Sequence, residues 1–268
     1  MSALPIYFKT KNKRMKSTLL AALAAALPAV SLATPVVAEN FNSYTAGALT
    51  PATGWTGSAN VSLFDVGTGS GGMSGEVLKF TGADNNTAAT RTIAKQTGTV
   101  VVDLLLNFSA GSIDNNDFLG LWFGSYTGPN IGIKGNCGGD VSGCSADLFV
   151  RTTGVGGSFS TALVTGQTVE LFAVLSKTGG STNYNSYSLW VNPTAGEKSS
   201  LTGADAVFTG NSGLSSFSQI GFRTANLDAG DVILVDNLSV NAVPEPSSFA
   251  LAGLGLFAAF AARRRASR

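Results

Sequence analysis

The chain has 268 residues, 33 of them glycine, with two cysteines, no histidine and a formal net charge of +1 from 17 Lys and Arg against 16 Asp and Glu. The missing histidine excludes Ser-His-Asp and Cys-His catalytic relays and histidine-bound metal sites. The near-neutral charge argues against nucleic acid as a partner, because binding to phosphates requires a basic excess.

The first 38 residues are typical of a secretory signal peptide. A basic stretch precedes an apolar run from Thr18 to Ala33, and small residues follow it. This order predicts cleavage between Ala38 and Glu39, and a cut after Ala33 is the alternative. An N-terminal membrane anchor is disfavoured, because the run is shorter than the ~20 apolar residues that a span requires.

The segment from Glu39 to Ala242 is predicted to form one all-β domain. It has no long amphipathic helix, and its short β-branched or alternating runs are separated by Gly, Asn, Asp and Ser clusters. The clearest alternation is Val100 to Phe108, where every second residue is apolar. This pattern predicts an antiparallel β-sandwich or jelly roll. The predicted strands are 61–66, 76–81, 88–94, 99–109, 118–124, 131–134, 147–152, 168–176, 184–192, 217–224 and 231–240.

The charge of this domain differs from the charge of the whole chain. Nine of the 17 basic residues but only one acid lie outside Glu39–Ala242, which leaves the domain with 8 basic and 15 acidic residues, or −7. An acidic domain is predicted to be unsuited to anionic partners and compatible with neutral glycans.

Three segments of the domain resemble concanavalin A-like lectin and glucanase domains. They are ENFNSYTAGALTPATGW at 39–55, YSLWVNP at 187–193 and IGFRTANLDAGDVILVDNLSV at 220–240. The resemblance implies the same sandwich fold. The glucanases of that fold carry a Glu-x-Asp-x-x-Glu strand, whose paired carboxylates perform hydrolysis. This spacing is absent from the sequence, so the chain is predicted not to be an enzyme.

Acidic residues recur in pairs at predicted turns. The pairs are Asp114 with Asp117, Asp228 with Asp231, and Asp231 with Asp236, and we interpret them as solvated turn residues. The oxygen-rich run from Asp114 to Asp117 is also a candidate calcium site, with these two aspartates as ligands. No other cofactor is predicted.

Cys137 and Cys144 lie in the glycine-rich run GNCGGDVSGC. In an exported protein such a pair is predicted to form a local disulfide, which would contribute ~2.5 kcal/mol by the chain-entropy estimate. A structural zinc site is disfavoured, because two cysteines without histidine do not complete its ligand set.

Aromatic residues supply the candidate ligand-binding side chains. Tyr126 and Tyr184 lie in polar stretches and are predicted to stack on sugar rings at a binding surface. Trp122 and Trp190 lie within apolar strands and are predicted to be core residues.

The C-terminal segment from 243 to 268 has three parts in a fixed order. The motif Val243-Pro244-Glu245-Pro246 is followed by a predicted transmembrane helix over 247–262 and then by Arg263, Arg264 and Arg265. An apolar run of fourteen residues reaches only ~21 Å as a helix, which suits a temporary membrane anchor. The arginines would keep the C-terminus in the cytoplasm.

This order resembles the PEP-CTERM sorting signal of Gram-negative bacteria. The resemblance implies that an exosortase, a membrane protease, cuts near the motif Pro244–Pro246 and passes the protein from the inner membrane to the cell surface or exopolysaccharide matrix. An ordinary C-terminal membrane anchor is the alternative.

These observations predict an exported, non-enzymatic protein of the cell surface or extracellular matrix. The first alternative is a lectin-like carbohydrate-binding module, with or without calcium. The second and less favoured alternative is a glycan hydrolase. The predicted partners are an exosortase, the inner membrane transiently, and exopolysaccharide or other glycans.

Overall fold

A computed structural model describes residues 34–49, 54–67, 71–82, 86–114, 116–139 and 142–243. These residues fall within one compact unit, Ala33–Pro244. The apolar run of the predicted signal peptide, Pro244 to Pro246, the predicted helix over 247–262 and the three arginines lie outside the described residues. Within the described ranges, no helix reaches the length and apolar character that crossing a membrane requires.

The described residues form strands with almost no helix. The strands are β1 Thr34–Glu39, β2 Gly47–Ala48, β3 Thr56–Gly57, β4 Val61–Asp65, β5 Glu76–Thr81, β6 Asn86–Gln96, β7 Val100–Ala110, β8 Phe118–Phe123, β9 Asn130–Lys134, β10 Leu148–Arg151, β11 Ser158–Ser160, β12 Thr168–Ser176, β13 Ser186–Val191, β14 Ala206–Thr209, β15 Phe217–Ala225 and β16 Val232–Ala242. One α-helix, α1, spans Ala195–Ser200, and a short 3-10 segment spans Gly135–Gly139.

The strands form two antiparallel sheets. Sheet A has the order β14-β13-β12-β7-β16-β5-β4-β2, with β1 beside β16, and sheet B has the order β11-β10-β9-β8-β15-β6-β3. The strand β16 pairs with β5 through its first residues and with β1 through Leu238–Ala242. The strands β5 and β1 therefore lie beside different halves of β16. The predicted β-sandwich is confirmed.

The main core lies between the two sheets because the strands alternate apolar and polar residues. On β7, Val100, Val102, Leu104, Leu106 and Phe108 are all buried in the main cluster. Sheet B contributes Leu119, Leu121 and Phe123 to the same cluster, and these residues alternate in the same way along β8. Side chains of opposite sheets therefore share one apolar layer, whose burial is the main stabilising contribution.

The sequence prediction located the long strands and missed the short ones. Each of the eleven predicted strands corresponds to an observed strand. The strands β2, β3, β11 and β14 were not predicted, because two to four residues are too few to show alternation. The strand β1 was not predicted because its residues were assigned to the signal peptide.

The helix α1 is held against the outer face of sheet A. The Thr194 hydroxyl accepts the Glu197 N–H, and the Glu197 carboxylate accepts the Thr194 N–H, which is a capping box. The Lys198 Nζ donates to Asp103 on β7 and to Glu170 on β12, each at 2.6 Å. Both carboxylates thus fix the helix over two neighbouring strands.

Candidate functional site

The outer face of sheet B carries the candidate site. On β8, the core-facing residues alternate with Phe118, Gly120 and Trp122, which therefore point away from the core. Strand register brings further residues onto this outer face, in three rows that run across the strands. The rows are Lys134, Phe118 and Ala225; Phe149, Gly132, Gly120 and Arg223; and Arg151, Asn130 and Trp122.

A cavity of ~150 Å³ opens on this face and is called here the sheet-B pocket. It is smaller than the ~300 Å³ at which small-molecule sites begin, so it suits one group of a larger ligand. Its lining consists of Asn116, Phe118, Lys134, Arg151, Gly154, Arg223, Ala225 and Asn226.

Phe118 lines the sheet-B pocket and belongs to a small aromatic cluster, called here the floor. The ring centroids of Phe118 and Phe149 lie 5.4 Å apart, and Phe159 extends the cluster at 6.2 Å from Phe149. A Cβ atom at Gly120 would approach the Phe118 ring to 2.7 Å, so the missing side chain leaves room for the ring above the strand. The floor is separate from the main core between the sheets.

Two arginines contact this floor from neighbouring parts of the sheet. The Arg151 side chain is only 5% exposed, and its Nε donates to the Asn130 Oδ1 at 2.8 Å. The guanidinium carbon of Arg151 lies 5.2 Å from the Phe118 ring centroid, and that of Arg223 lies 5.6 Å from the same centroid. Both positive charges therefore converge on one ring, a favourable cation–π arrangement.

Arg151 remains a cation at neutral pH. Burial, with a smaller contribution from the positive charge of Arg223, lowers the pKa of Arg151 to about 10. Within the part of the chain that the structure describes, no carboxylate forms an ion pair or hydrogen bond with Arg151. The pocket thus holds a cation that has no carboxylate partner among the described residues.

Tyr126 and Tyr184, the predicted sugar-stacking residues, have different environments. Tyr126 is 52% exposed, and the guanidinium of Arg223 lies 5.5 Å from its ring, which places it beside the sheet-B pocket. Tyr184 is fully buried and donates its hydroxyl to the Gly98 carbonyl at 2.8 Å, so the prediction of a ligand-facing Tyr184 is corrected. Trp122 and Trp190 are buried, but neither belongs to the core between the sheets, so the prediction that they are core residues is corrected.

The acidic pairs are only partly the solvated turn residues that the sequence predicted: Asp114 and Asp228 are exposed, whereas Asp117, Asp231 and Asp236 are buried. Asp117 accepts the Asp114 N–H and Asp231 accepts the Asp228 N–H, both at 2.6 Å, so two equivalent turns orient their carboxylates inward. Burial raises the pKa of Asp117 to about 6, and the charges of Asp231, Asp114 and Asp228 add to the increase. The fold therefore brings two pairs together that are far apart in sequence.

The calcium site at Asp114 and Asp117 stays a prediction. Among the described residues, no group of three or more His, Cys, Asp or Glu side chains is arranged to hold a metal ion. Asp117 already uses one carboxylate oxygen for the backbone N–H of Asp114.

The other predicted residues lie away from the sheet-B pocket. Cys137 and Cys144 form the predicted disulfide, which closes a left-handed turn where Asn136 has φ 50° and Cys137 has φ 56°. Ala38 and Glu39 lie in β1. Val243 is the last described residue, and its N–H donates to the Thr99 carbonyl at 2.9 Å.

The family model for the PEP-CTERM protein-sorting motif matches residues 242–265. The chain carries a PEP-CTERM sorting motif. The match covers the tail alone and leaves the sandwich unassigned. Among curated proteins, none matches this chain.

Solved structures share the sandwich at low similarity. An alginate lyase, Aly36B, in complex with alginate trisaccharide is 11% identical, with a TM-score of 0.47 over 81% of this chain and 100% of that chain. Domain 4 of AbnA, an extracellular arabinanase from Geobacillus stearothermophilus, in complex with arabinotriose is 13% identical, with a TM-score of 0.45 over 81% and 97%. A carbohydrate esterase from a Shiga toxin-encoding bacteriophage is 10% identical, with a TM-score of 0.44 over 79% and 100%.

These structures overturn the prediction that the chain is not an enzyme. The similar solved structures include chains named as an alginate lyase and a carbohydrate esterase. The missing histidine and the missing Glu-x-Asp-x-x-Glu spacing exclude particular mechanisms only.

The sequence did not identify the sheet-B pocket. Lys134, Arg151 and Arg223 come from β9, β10 and β15, and no local motif joins them. The available signal was alternation, which places Phe149 and Arg151 on one face and Leu148 and Val150 on the other.

Proposed function

We propose that the chain is an exported protein, processed by an exosortase, whose sandwich binds a glycan at the sheet-B pocket. The sorting motif at 242–265 supports the export part of this proposal. Delivery to the cell surface would place the domain among exopolysaccharides.

The pocket carries the glycan part of the proposal. Sugar rings have an apolar face that packs on aromatic rings and hydroxyls that need hydrogen-bonding groups. Phe118 and the exposed Tyr126 supply aromatic rings at the pocket. Asn116 and Asn226 supply hydrogen-bonding groups at its rim. Asn226 is itself positioned, because its Nδ2 donates to the Asn116 carbonyl at 3.1 Å.

Binding is tested with the processed protein purified from the cells that export it. Retention of the protein is measured by affinity electrophoresis in gels containing neutral and acidic polysaccharides, with calcium and with a chelator. We expect retention by at least one polysaccharide, and a weakening of three- to tenfold in Tyr126→Ala.

The matched control is Phe64→Ala, which removes an exposed ring that contacts Lys79 on sheet A. We expect this variant to bind like the unmodified protein. If no polysaccharide changes the migration of the protein, glycan binding is refuted. If both variants weaken binding equally, the glycan site lies outside the sheet-B pocket.

A further inference from the structure

We infer that the sheet-B pocket binds the anionic group of an acidic sugar. The inference rests on the proposed glycan binding and specifies the chemical class of the glycan. It reverses the expectation, drawn from the net charge, that the domain avoids anionic partners.

The distribution of charge is the first observation. The segment Glu39–Ala242 has 8 basic and 15 acidic residues, yet three of the eight, Lys134, Arg151 and Arg223, line one small pocket. Three cationic side chains at one pocket attract an anion more strongly than the net charge of the domain predicts.

The environment of Arg151 is the second observation. Its Nε–H is held by Asn130, whose Nδ2 in turn donates to the Gly128 carbonyl at 2.6 Å. Its terminal amino groups have no hydrogen-bond partner within the described residues. The two terminal N–H groups of a guanidinium lie in one plane and match the two oxygens of a carboxylate. Arg151 is therefore oriented by Asn130 and keeps its terminal N–H groups for an anion in the pocket.

The relation between the two arginines is the third observation. Their guanidinium carbons lie at 5.2 Å and 5.6 Å from the Phe118 ring centroid. An anion beside this ring would reduce the repulsion between the two cations, while the sugar that carries it packs on the neighbouring aromatic surface. The volume of ~150 Å³ suits one charged group, with the rest of the chain outside.

The test compares each acidic polymer with its neutral counterpart. Binding of the processed protein is measured for polygalacturonate against carboxyl-reduced polygalacturonate, and for dextran sulfate against dextran. We expect at least tenfold tighter binding to the acidic member of one pair, decreasing with added salt. A preference within the first pair identifies a carboxylate, and a preference within the second identifies a sulfate.

The variants Arg151→Gln and Arg223→Gln connect the preference to the pocket. We expect each to reduce the preference for the acidic polymer at least fivefold, and the half-exposed Arg223 gives a second test if Arg151→Gln does not fold. The control Lys79→Gln removes another cation that lies on a ring, 4.4 Å from the Phe64 centroid on sheet A, and should leave the preference intact.

Two outcomes contradict the inference in different ways. Equal binding of acidic and neutral polymers overturns recognition of an anion and leaves the proposed glycan binding standing. Absence of binding to all four polymers, together with no retention in the polysaccharide gels, overturns both. A preference that survives in both arginine variants places anion recognition outside the sheet-B pocket.

Discussion

Asp117 shows how an acidic residue becomes part of the interior of this protein. It is 1% exposed, and burial raises its pKa to about 6, against the opposing effect of the Asp114 N–H. The negative charges of Asp231, Asp114 and Asp228 contribute to this increase. Because the unfolded chain titrates near pH 4, the folded state binds the proton more tightly than the unfolded state does.

This difference predicts that Asp117 makes the protein more stable under mildly acidic conditions. Its contribution is fully present below about pH 4 and is lost as the pH rises through about 6. Asp117→Asn keeps an oxygen for the Asp114 N–H and has no charge. We expect this variant to be more stable than the unmodified protein at pH 7, by up to about 2 kcal/mol, with a flatter dependence on pH. Urea unfolding at a series of pH values measures both effects.

Asp65→Asn is the matched control, because the exposed Asp65 accepts the Gly67 N–H at 2.7 Å in a similar local turn. Its pH profile should follow that of the unmodified protein. A profile for Asp117→Asn that also matches the unmodified protein would contradict a buried, proton-binding Asp117.

At the scale of the element, β1 connects the two sheets. Val37 is 2% exposed, and β1 pairs with the second half of β16. Glu39 forms an ion pair with Arg91 of β6, so a residue of sheet A contacts a residue of sheet B. Removal of Thr34–Ala38 would leave Leu238–Ala242 without its neighbouring strand on that side.

We therefore expect the predicted signal peptide to be cut after Ala33, so that the mature protein begins at Thr34 and keeps β1. N-terminal sequencing of the exported protein measures this directly. Ala33→Leu should block processing, because signal peptidase requires a small residue before the cut, and Ala38→Leu should leave the N-terminus unchanged. A mature N-terminus at Glu39 would show that the exported sandwich lacks β1.

At the scale of the whole molecule, the sorting motif and the sandwich occupy separate segments of the chain. The sorting motif at 242–265 begins where β16 ends at Ala242, so the motif follows the last strand directly. A protease that cuts near Pro244-Glu245-Pro246 would release the sandwich with its strands intact.

Replacement of Pro244, Glu245 and Pro246 by alanine is expected to leave full-length precursor in the inner membrane. Immunoblots of membrane and extracellular fractions measure the length and location of the protein. Alanine at Ser247 and Ser248, next to the motif, should not change either. Normal processing of the triple variant would contradict exosortase sorting and favour an ordinary anchor.

The sequence alone determined the features that depend on neighbours along the chain. Alternation from Val100 to Phe108 predicted β7, because the side chains of a strand point to opposite faces in turn. The sorting motif is a linear order of residues, and the disulfide joins cysteines only seven positions apart. Each of these features depends on residues that are close in sequence, so its prediction requires no knowledge of strand pairing.

The tertiary structure decided which distant residues meet. Pairing of β8 with both β9 and β15 brings Arg223 to the same face as Lys134, and pairing of β9 with β10 adds Arg151. Tertiary packing also buries Tyr184, whose ring lies 5.5 Å from that of Phe217 on β15, although its flanking residues are as polar as those of Tyr126. Net charge is a sum over the sequence, whereas the sign of the charge at one pocket depends on strand order. The physical reason is that strand order arises from long-range packing, which no local pattern encodes.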